Sequence, residues 1–413
     1  MFDSFPNIRH LRAFKEVAEH QSVSAAAQKV HLSQPAVTQA ISGLEKSLEV
    51  PLFDRRPEGM FTTPTSQAFL LRVQRMFANL EDGAARAVQA AGKRTRRSDA
   101  DFFKNTSASQ MRALVAIWET GSFSLAARRV GVSQPSIHRA GRELEKLADI
   151  PFFQATRRGV ELTPAAEFFA RGIKLAAAEL QQGFDEIALS KGRDSTRISV
   201  GSLPLSRTAI LPEAIHALMA AHDGVQVAAI DGPYDELLRS LRYGDLDFLI
   251  GALRTPTPTD DIVQERLFDD ALTVVAGPNH PLVGQENVTL DETLKYPWIA
   301  PPRTTPSGSY LFRTLGIGAR DSTPVRIVSS SLVLVRGLLS KGEYVTLLSL
   351  NQMAVEQDQG LMVPLNVNLP DSTRPIGLTF RKGWHPTPTQ ASFLNSIRTA
   401  SRAFTQDQYR QNL

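Results

Sequence analysis

The apolar positions near the start of the chain fall at helical spacings. Leu11, Phe14 and Val17-Ala18 lie three and four apart, which puts them on one face of a helix. Ser22 then precedes Ala25, Ala26, Ala27 and Val30, a short run of small residues suited to close packing. His31-Leu32-Ser33 is long enough only for a turn. Ser33 is a good N-cap for a third helix, and Pro35 sits in its first turn, where a missing N–H costs nothing. Val37, Ile41, Leu44 and Leu48 form that helix's buried stripe, leaving Gln34, Ala36, Thr38, Gln39 and Ser42 outward. Residues 53–63, with Arg55-Arg56 and Gly59, read as a two-stranded hairpin, and 65–91 return to helical period through Phe69, Val73, Met76-Phe77 and Leu80.

This pattern occurs twice. Residues 10–69 recur at 110–169 without a gap, and 21 of the 60 aligned pairs are identical. The shared positions include Ala26-Ala27/Ala126-Ala127, Ser33-Gln34-Pro35/Ser133-Gln134-Pro135, Leu44-Glu45-Lys46/Leu144-Glu145-Lys146 and Thr63-Pro64/Thr163-Pro164. Two copies make a duplicated domain rather than a solenoid. The second long helix, 165–190, carries Phe169, Ile173, Leu180 and Phe184. Between the copies, Lys93-Arg94-Thr95-Arg96-Arg97 reads as a solvated basic linker that could add phosphate contacts.

From Arg197 onward strands and helices alternate. Strands are expected at 198–201, 225–230 and 247–251, with helices at 209–221 and 234–243 between them, an order that implies a parallel sheet. Segments 263–268 and 272–276 lead into a second α/β unit with strands near 298–299, 325–328 and 344–348; a strand at 376–381 and a helix after Pro388 return to the first. Two such lobes place a ligand cleft at the carboxyl ends of their strands.

A short helix, a tight turn and a capped helix with a polar outer face form a helix-turn-helix, whose second helix fits the major groove. The run Ala26-Ala27, Leu32-Ser33-Gln34-Pro35-Ala36-Val37-Thr38, Ile41, Leu44-Glu45, Pro51-Leu52-Phe53-Asp54-Arg55 and Thr63-Pro64 resembles the N-terminal signature of the LysR-type transcriptional regulators. The resemblance implies a winged helix-turn-helix, a linker helix that pairs two subunits, and a periplasmic-binding-protein-like effector domain. A second winged module departs from that pattern. With two linker helices, the chain is expected to pair them internally, as a pseudo-dimer whose reading heads lie about one DNA turn, ~34 Å, apart.

The second copy is altered. Gly141 replaces Ile41 and Ala148 replaces Leu48, which shrinks the buried stripe; Trp118, Phe123, Leu147 and Phe152 are candidates to refill it. Arg55 becomes Ala155, but His138, Arg139 and Arg142 replace Thr38, Gln39 and Ser42, and Arg157-Arg158 follow in the hairpin. Added arginines favour retained DNA contact, mainly with phosphates. A copy kept for packing, or one that binds a partner such as RNA polymerase, is the alternative.

Charge changes the picture only modestly. Residues 1–190 hold 25 Lys+Arg against 20 Asp+Glu, whereas 191–413 hold 21 against 22, so the surplus sits in the half expected to meet DNA. The chain has no cysteine, which excludes disulfides and thiolate metal sites. The opening residues lack a secretory pattern and no apolar run is long enough to span a bilayer, so a cytoplasmic, membrane-free protein is expected. There is no Walker loop, HExxH or GxSxG; Gly316-Ile317-Gly318 is a lone fragment, and His216, His222, His280 and His385 have no ligand spacing.

The expected architecture is α + α/β: two winged helix-turn-helix domains with linker helices, followed by a two-lobed α/β domain. The divisions are 1–66, 67–108, 109–166, 167–192 and 193–413, the last with lobe I at 193–254 and 370–413 and lobe II at 255–369. The expected function is a sequence-specific, effector-controlled regulator with no catalysis, metal or cofactor. Its candidate DNA contacts are Ser33, Gln34, Pro35, Ala36, Thr38, Gln39, Arg55 and Arg56 in the first copy. Those in the second are Ser133, Gln134, Ser136, His138, Arg139, Arg142, Arg157 and Arg158. Effector candidates are Ser202, Ser206, Gly232, Arg254, Arg303, Ser329 and Ser330, near strand ends and helix starts that suit a carboxylate. Expected partners are double-stranded DNA, a small-molecule effector and further copies of the chain. The rival reading is a cytoplasmic ligand-binding or enzymatic α/β protein whose duplicated half serves dimerisation.

Overall fold

The computed structural model describes residues 7–92, 97–157, 159–317 and 324–411. It divides into two units, residues 1–196 with 243–245, and 197–242 with 246–413.

In the first unit each copy of the repeat folds the same way. The first contains α1 (Ile8–His20), α2 (Val23–Val30), α3 (Gln34–Leu48), β1 (Phe53–Arg56), β2 (Gly59–Thr62) and α4 (Pro64–Ala90). After a 3-10 segment, Arg97–Asn105, the second contains α5 (Ala108–Thr120), α6 (Phe123–Val130), α7 (Gln134–Ala148), β3 (Phe153–Thr156), β4 (Gly159–Leu162) and α8 (Pro164–Ser190). The caps are side-chain oxygens: Ser33 accepts from the Ala36 N–H at 3.3 Å, and Thr63 from Ser66 at 3.2 Å. Val37, Ile41, Leu44 and Leu48 are buried beneath Leu11, Phe14 and Val17 of α1. Each fully buried side chain of this size contributes about 1.5–3 kcal/mol toward holding the three helices together.

The second copy repairs its core differently from the sequence expectation. A β-carbon at Gly141 would lie 2.9 Å from the Phe153 ring, so that ring occupies the space of the missing isoleucine side chain. Phe153 in turn packs edge-on against Phe123, ring centroids 5.6 Å apart. Phe152 stacks instead toward Phe169 and Phe102, and Trp118 meets Tyr243, so neither fills the gap. Phe102 and Phe103, from the segment read as linker, are buried in this unit's core. Lys93, Arg94, Thr95 and Arg96 lie outside the described residues.

Helices α4 and α8 pack against each other. Their apolar stripes supply Phe69, Val73, Met76 and Leu80 on one side and Phe169, Ile173 and Leu180 on the other, all buried. Arg72, only 2% exposed, is anchored within the pair. Its guanidinium donates to Glu186 at 2.6 Å, Glu179 at 3.1 Å and Gln182 at 2.7 Å. Burial alone would depress its pKa, but Glu186 and Glu179 outweigh that and raise it.

The second unit is built on one nine-stranded sheet. Its elements begin with β5 (Arg197–Ser202), α9 (Ile210–Ala221), β6 (Gln226–Asp231), α10 (Tyr234–Arg242), β7 (Phe248–Ala252) and β8 (Ile262–Ala276). Next come α11 (Leu290–Thr293), β9 (Trp298–Ala300), α12 (Pro306–Ser309), β10 (Val325–Val328) and α13 (Leu332–Leu339). The unit closes with β11 (Val345–Ser349), α14 (Ala354–Asp358), β12 (Val363–Pro364), β13 (Thr373–Arg381) and α15 (Pro388–Gln411). The order is β10-β9-β11-β8-β13-β7-β5-β6, with β12 added to β8. Strands β5, β6 and β7 run parallel, as do β9, β10 and β11. The segments read as separate strands at 263–268 and 272–276 are one strand, β8, whose first part pairs with β13 and whose last part pairs with β11. Arg398 of α15 grips Glu265 of β8 with two hydrogen bonds, at 2.7 and 2.9 Å.

Candidate nucleic-acid interface and effector domain

Helix α3 presents a polar face because its apolar residues are spent on the core. Ser33, Gln34, Pro35, Thr38 and Gln39 are exposed and Ala36 is half-buried. The Gln34 side-chain amide donates to Ser24 of α2 at 3.1 Å, which orients it. The hairpin beside this helix is held by two devices absent from the sequence expectations. Glu45 of α3 accepts the Leu52 N–H at 2.9 Å, and Glu145 accepts both Phe152 and Phe153 N–H groups, at 2.8 and 3.0 Å. Glu45 and Glu145 are identical positions of the repeat, which was the available signal. On the other strand, Met60 N–H donates to the Gln21 carbonyl at 2.9 Å. A β-carbon on Gly59 would lie 2.6 Å from that same oxygen, and Gly59 has a φ of 148°, so only glycine fits.

The hairpin arginines project outward. Arg55 and Arg56 are exposed; Arg55 lies 3.6 Å from Glu45 and Arg56 lies over the Phe61 ring. In the second copy Ser133, Gln134, Ser136, His138, Arg139, Arg142 and Arg157 are all exposed. Several already have protein partners: Arg142 pairs with Glu145 at 2.7 Å, Ser136 with Ser133, and His138 packs against the Phe123 ring. Arg158 lies outside the described residues.

In the second unit the ends of β5, β6 and β7 bring Ser202-Leu203, Gly232 and Arg254 to neighbouring positions. Ser202 and Ser206 are buried, their hydroxyls donating to the carbonyls of Ile230 at 3.3 Å and Leu203 at 2.8 Å. Gly232 is exposed in the turn before α10. Arg254 lies 4.0 Å above the Tyr234 ring and donates to the Ala252 carbonyl at 2.9 Å. Burial lowers its pKa, and Arg374 adds to that effect. The Tyr234 hydroxyl is buried without a hydrogen-bond partner, and sequence reasoning did not single it out. Farther along the sheet, Arg303 is exposed over the Phe312 ring at 4.2 Å. Ser329 accepts the Ser331 N–H at 3.1 Å, Ser330 is exposed, and both follow the end of β10. A second missed cluster sits where β8 meets β13. Asp270, 1% exposed, takes two hydrogen bonds from Arg374, at 3.0 and 3.1 Å, and one from Asn351 at 2.7 Å. Burial raises the Asp270 pKa against the pull of Arg374.

The model of the LysR substrate binding domain matches residues 191–402, and that of the bacterial regulatory helix-turn-helix protein, lysR family, matches residues 8–68 and 108–167. The chain belongs to the LysR family. It is a helix-turn-helix transcriptional regulator that binds DNA under the control of an effector domain, and the family is one of regulators, not enzymes. The HTH-type transcriptional regulator GalR of Pseudomonas putida is 33% identical over 393 residues, covering 95% of this chain and 97% of that one. The regulator PcaQ of Agrobacterium fabrum is 26% identical over 291 residues, which are 70% of this chain and 94% of PcaQ. A full-length OxyR variant from Pseudomonas aeruginosa shares the fold, with a TM-score of 0.51 at 22% identity over 71% of this chain and 94% of that one. Among the described residues of this LysR regulator no helix is long and apolar enough to cross a membrane, and no group of three His, Cys, Asp or Glu residues is arranged to hold a metal.

Proposed function

We propose that this regulator reads one operator with two heads carried on a single chain. Helix α3 enters the major groove and reads base edges through Gln34, Thr38 and Gln39, with Ser33, Pro35 and Ala36 against the adjoining backbone. Arg55 and Arg56 of the hairpin contact phosphates. The second head grips more than it reads: Arg139, Arg157 and Arg158 supply charge for phosphates, while Gln134 remains for a base edge. Arg142, His138, Ser133 and Ser136 are partly committed within the protein, which favours backbone contacts there.

The observation that carries this reading is the exposed, preoriented polar face of α3 beside an arginine-bearing hairpin that Glu45 fixes in place. Selection of bound fragments from genomic DNA, followed by titration against salt, tests it. A recurring site whose affinity falls steeply with salt is expected; retention that ignores salt and sequence overturns it.

For the effector, the supporting feature is Tyr234 with Arg254. An unpartnered phenol hydroxyl beside a half-buried guanidinium suits a small carboxylate, with Gly232 leaving room at the strand end. Arg303, Ser329 and Ser330 would face the ligand's other end. A thermal-shift screen with small carboxylates is expected to stabilise the wild type and not Arg254→Met; equal stabilisation of both removes Arg254 from the site. The protein acts in the cytoplasm, as a homo-oligomer.

A further inference from the structure

The repeat relates positions that meet across the α4–α8 pair to a second pair of positions. Arg72 faces Gly183, and the pair shifted by one hundred positions is Gly172 facing Gly83. Glu179 meets Arg72, and its counterpart, Asn79, meets Gly172. Each copy therefore offers the same surface to the other, about a pseudo-two-fold axis. A surface that accepts its own repeat has three options: α4 on α8, α4 on another chain's α4, or α8 on another α8.

The two sides do not carry the same chemistry. Facing Arg72 on α8 are Glu179, Gln182 and Glu186; the aligned positions on α4 are Asn79, Asp82 and Arg86. Where α4 has Arg72, α8 has Gly172. Pairing α4 with α4 would set each Arg72 against Arg86 and Asn79, leaving Asp82 as the sole carboxylate at that site. Pairing α8 with α8 would bury four glutamates around two glycines with no cation in Arg72's place. A charge left uncompensated in such a contact is strongly unfavourable.

We propose that Arg72, Glu179 and Glu186 form a recognition code that lets α4 accept α8 of its own chain and reject a second α4. The face is thereby consumed within the chain. Tethering adds to this, since a linked partner is present at an effective concentration on the order of millimolar. Any further assembly must use other surfaces.

The test needs no DNA, so its failure and that of the two-headed reading are distinguishable. The chain has no cysteine, so Asn79→Cys gives full-length protein with a single thiol close to the pseudo-two-fold. Oxidation then yields covalent chain dimers where α4 meets α4. With Arg72 present, few dimers are expected. Arg72→Glu sets three carboxylates together in the α4–α8 pair and gives α4 a partner for Arg86 of a second α4. It is expected to lower the first unit's thermal midpoint by roughly 10 °C and to produce covalent dimers. The double variant Arg72→Glu/Glu186→Arg, which leaves Arg75 on Glu179, is expected to recover the midpoint and lose the dimers. Equal dimer yield with Arg72 and with Glu at that position overturns the code. So does a double variant as unstable as the single one.

Discussion

Gly83 and Gly172 meet backbone to backbone. A β-carbon on Gly83 would lie 2.9 Å from the Gly172 Cα, and one on Gly172 would lie 2.7 Å from the Asn79 carbonyl oxygen. Because backbone cannot yield as a side chain tip does, the helices must separate to admit any larger residue.

Gly172→Val is therefore expected to destabilise the first unit by about 1–3 kcal/mol through overpacking. Gly43→Ala, also within a helix but with nothing nearer than 4.0 Å, is expected to stabilise it by roughly 0.5–1 kcal/mol. Urea midpoints of both variants check the pair; similar shifts of like sign would deny the close approach.

Glu145 anchors the start of the second hairpin through two backbone N–H groups. Glu145→Ala strands both donors and is expected to cost about 1–3 kcal/mol. Exchange of the Phe152 and Phe153 amide hydrogens should accelerate well above that of the neighbouring helix, which is measurable by NMR.

The base-reading and phosphate-gripping roles separate by salt. Gln34→Ala is expected to cost about 1–3 kcal/mol on the operator and to relax discrimination, with the salt slope unchanged. Arg55→Ala is expected to weaken all sequences alike and reduce that slope by about 1. Fluorescence anisotropy at several salt concentrations tells the two apart, and reversed behaviour would exchange the assigned roles.

His280 is 5% exposed and packs against Tyr296, and burial holds its pKa below the ordinary 6.5. The native state thus binds fewer protons than the unfolded chain between the lowered value and 6.5. Stability should be constant above that ordinary value, fall as pH drops through the window, and level off beneath it. Thermal midpoints of the second unit between about pH 7.5 and 5.5 should show this decline for the wild type and a flatter profile for His280→Asn. Parallel profiles would assign the decline to other groups.

Local patterns were legible where a residue's role depends on near neighbours. The Ser33 cap, the stripe of Val37, Ile41, Leu44 and Leu48, and the outward face of α3 all follow from spacing alone. The strand ends bearing Gly232 and Arg254 followed from alternation. Features joined across long separations were not. Arg72 was not singled out because Glu179 and Glu186 lie more than a hundred positions away. Asp269-Asp270 read as a break between two strands, since the arginine that neutralises Asp270 comes from β13. Phe153 beneath Gly141 was missed for a different reason: a cavity shows in sequence as a lost side chain, but the ring that turns into it does not.

Strand β8 is hydrogen-bonded to β13 along its first part and to β11 along its last. Its backbone thus forms a continuous beam through both ends of the sensor, with the Asp270–Arg374 bolt near its midpoint. The two ends cannot swing freely as if on a slack tether. Any rearrangement of one end against the other must therefore bend this strand.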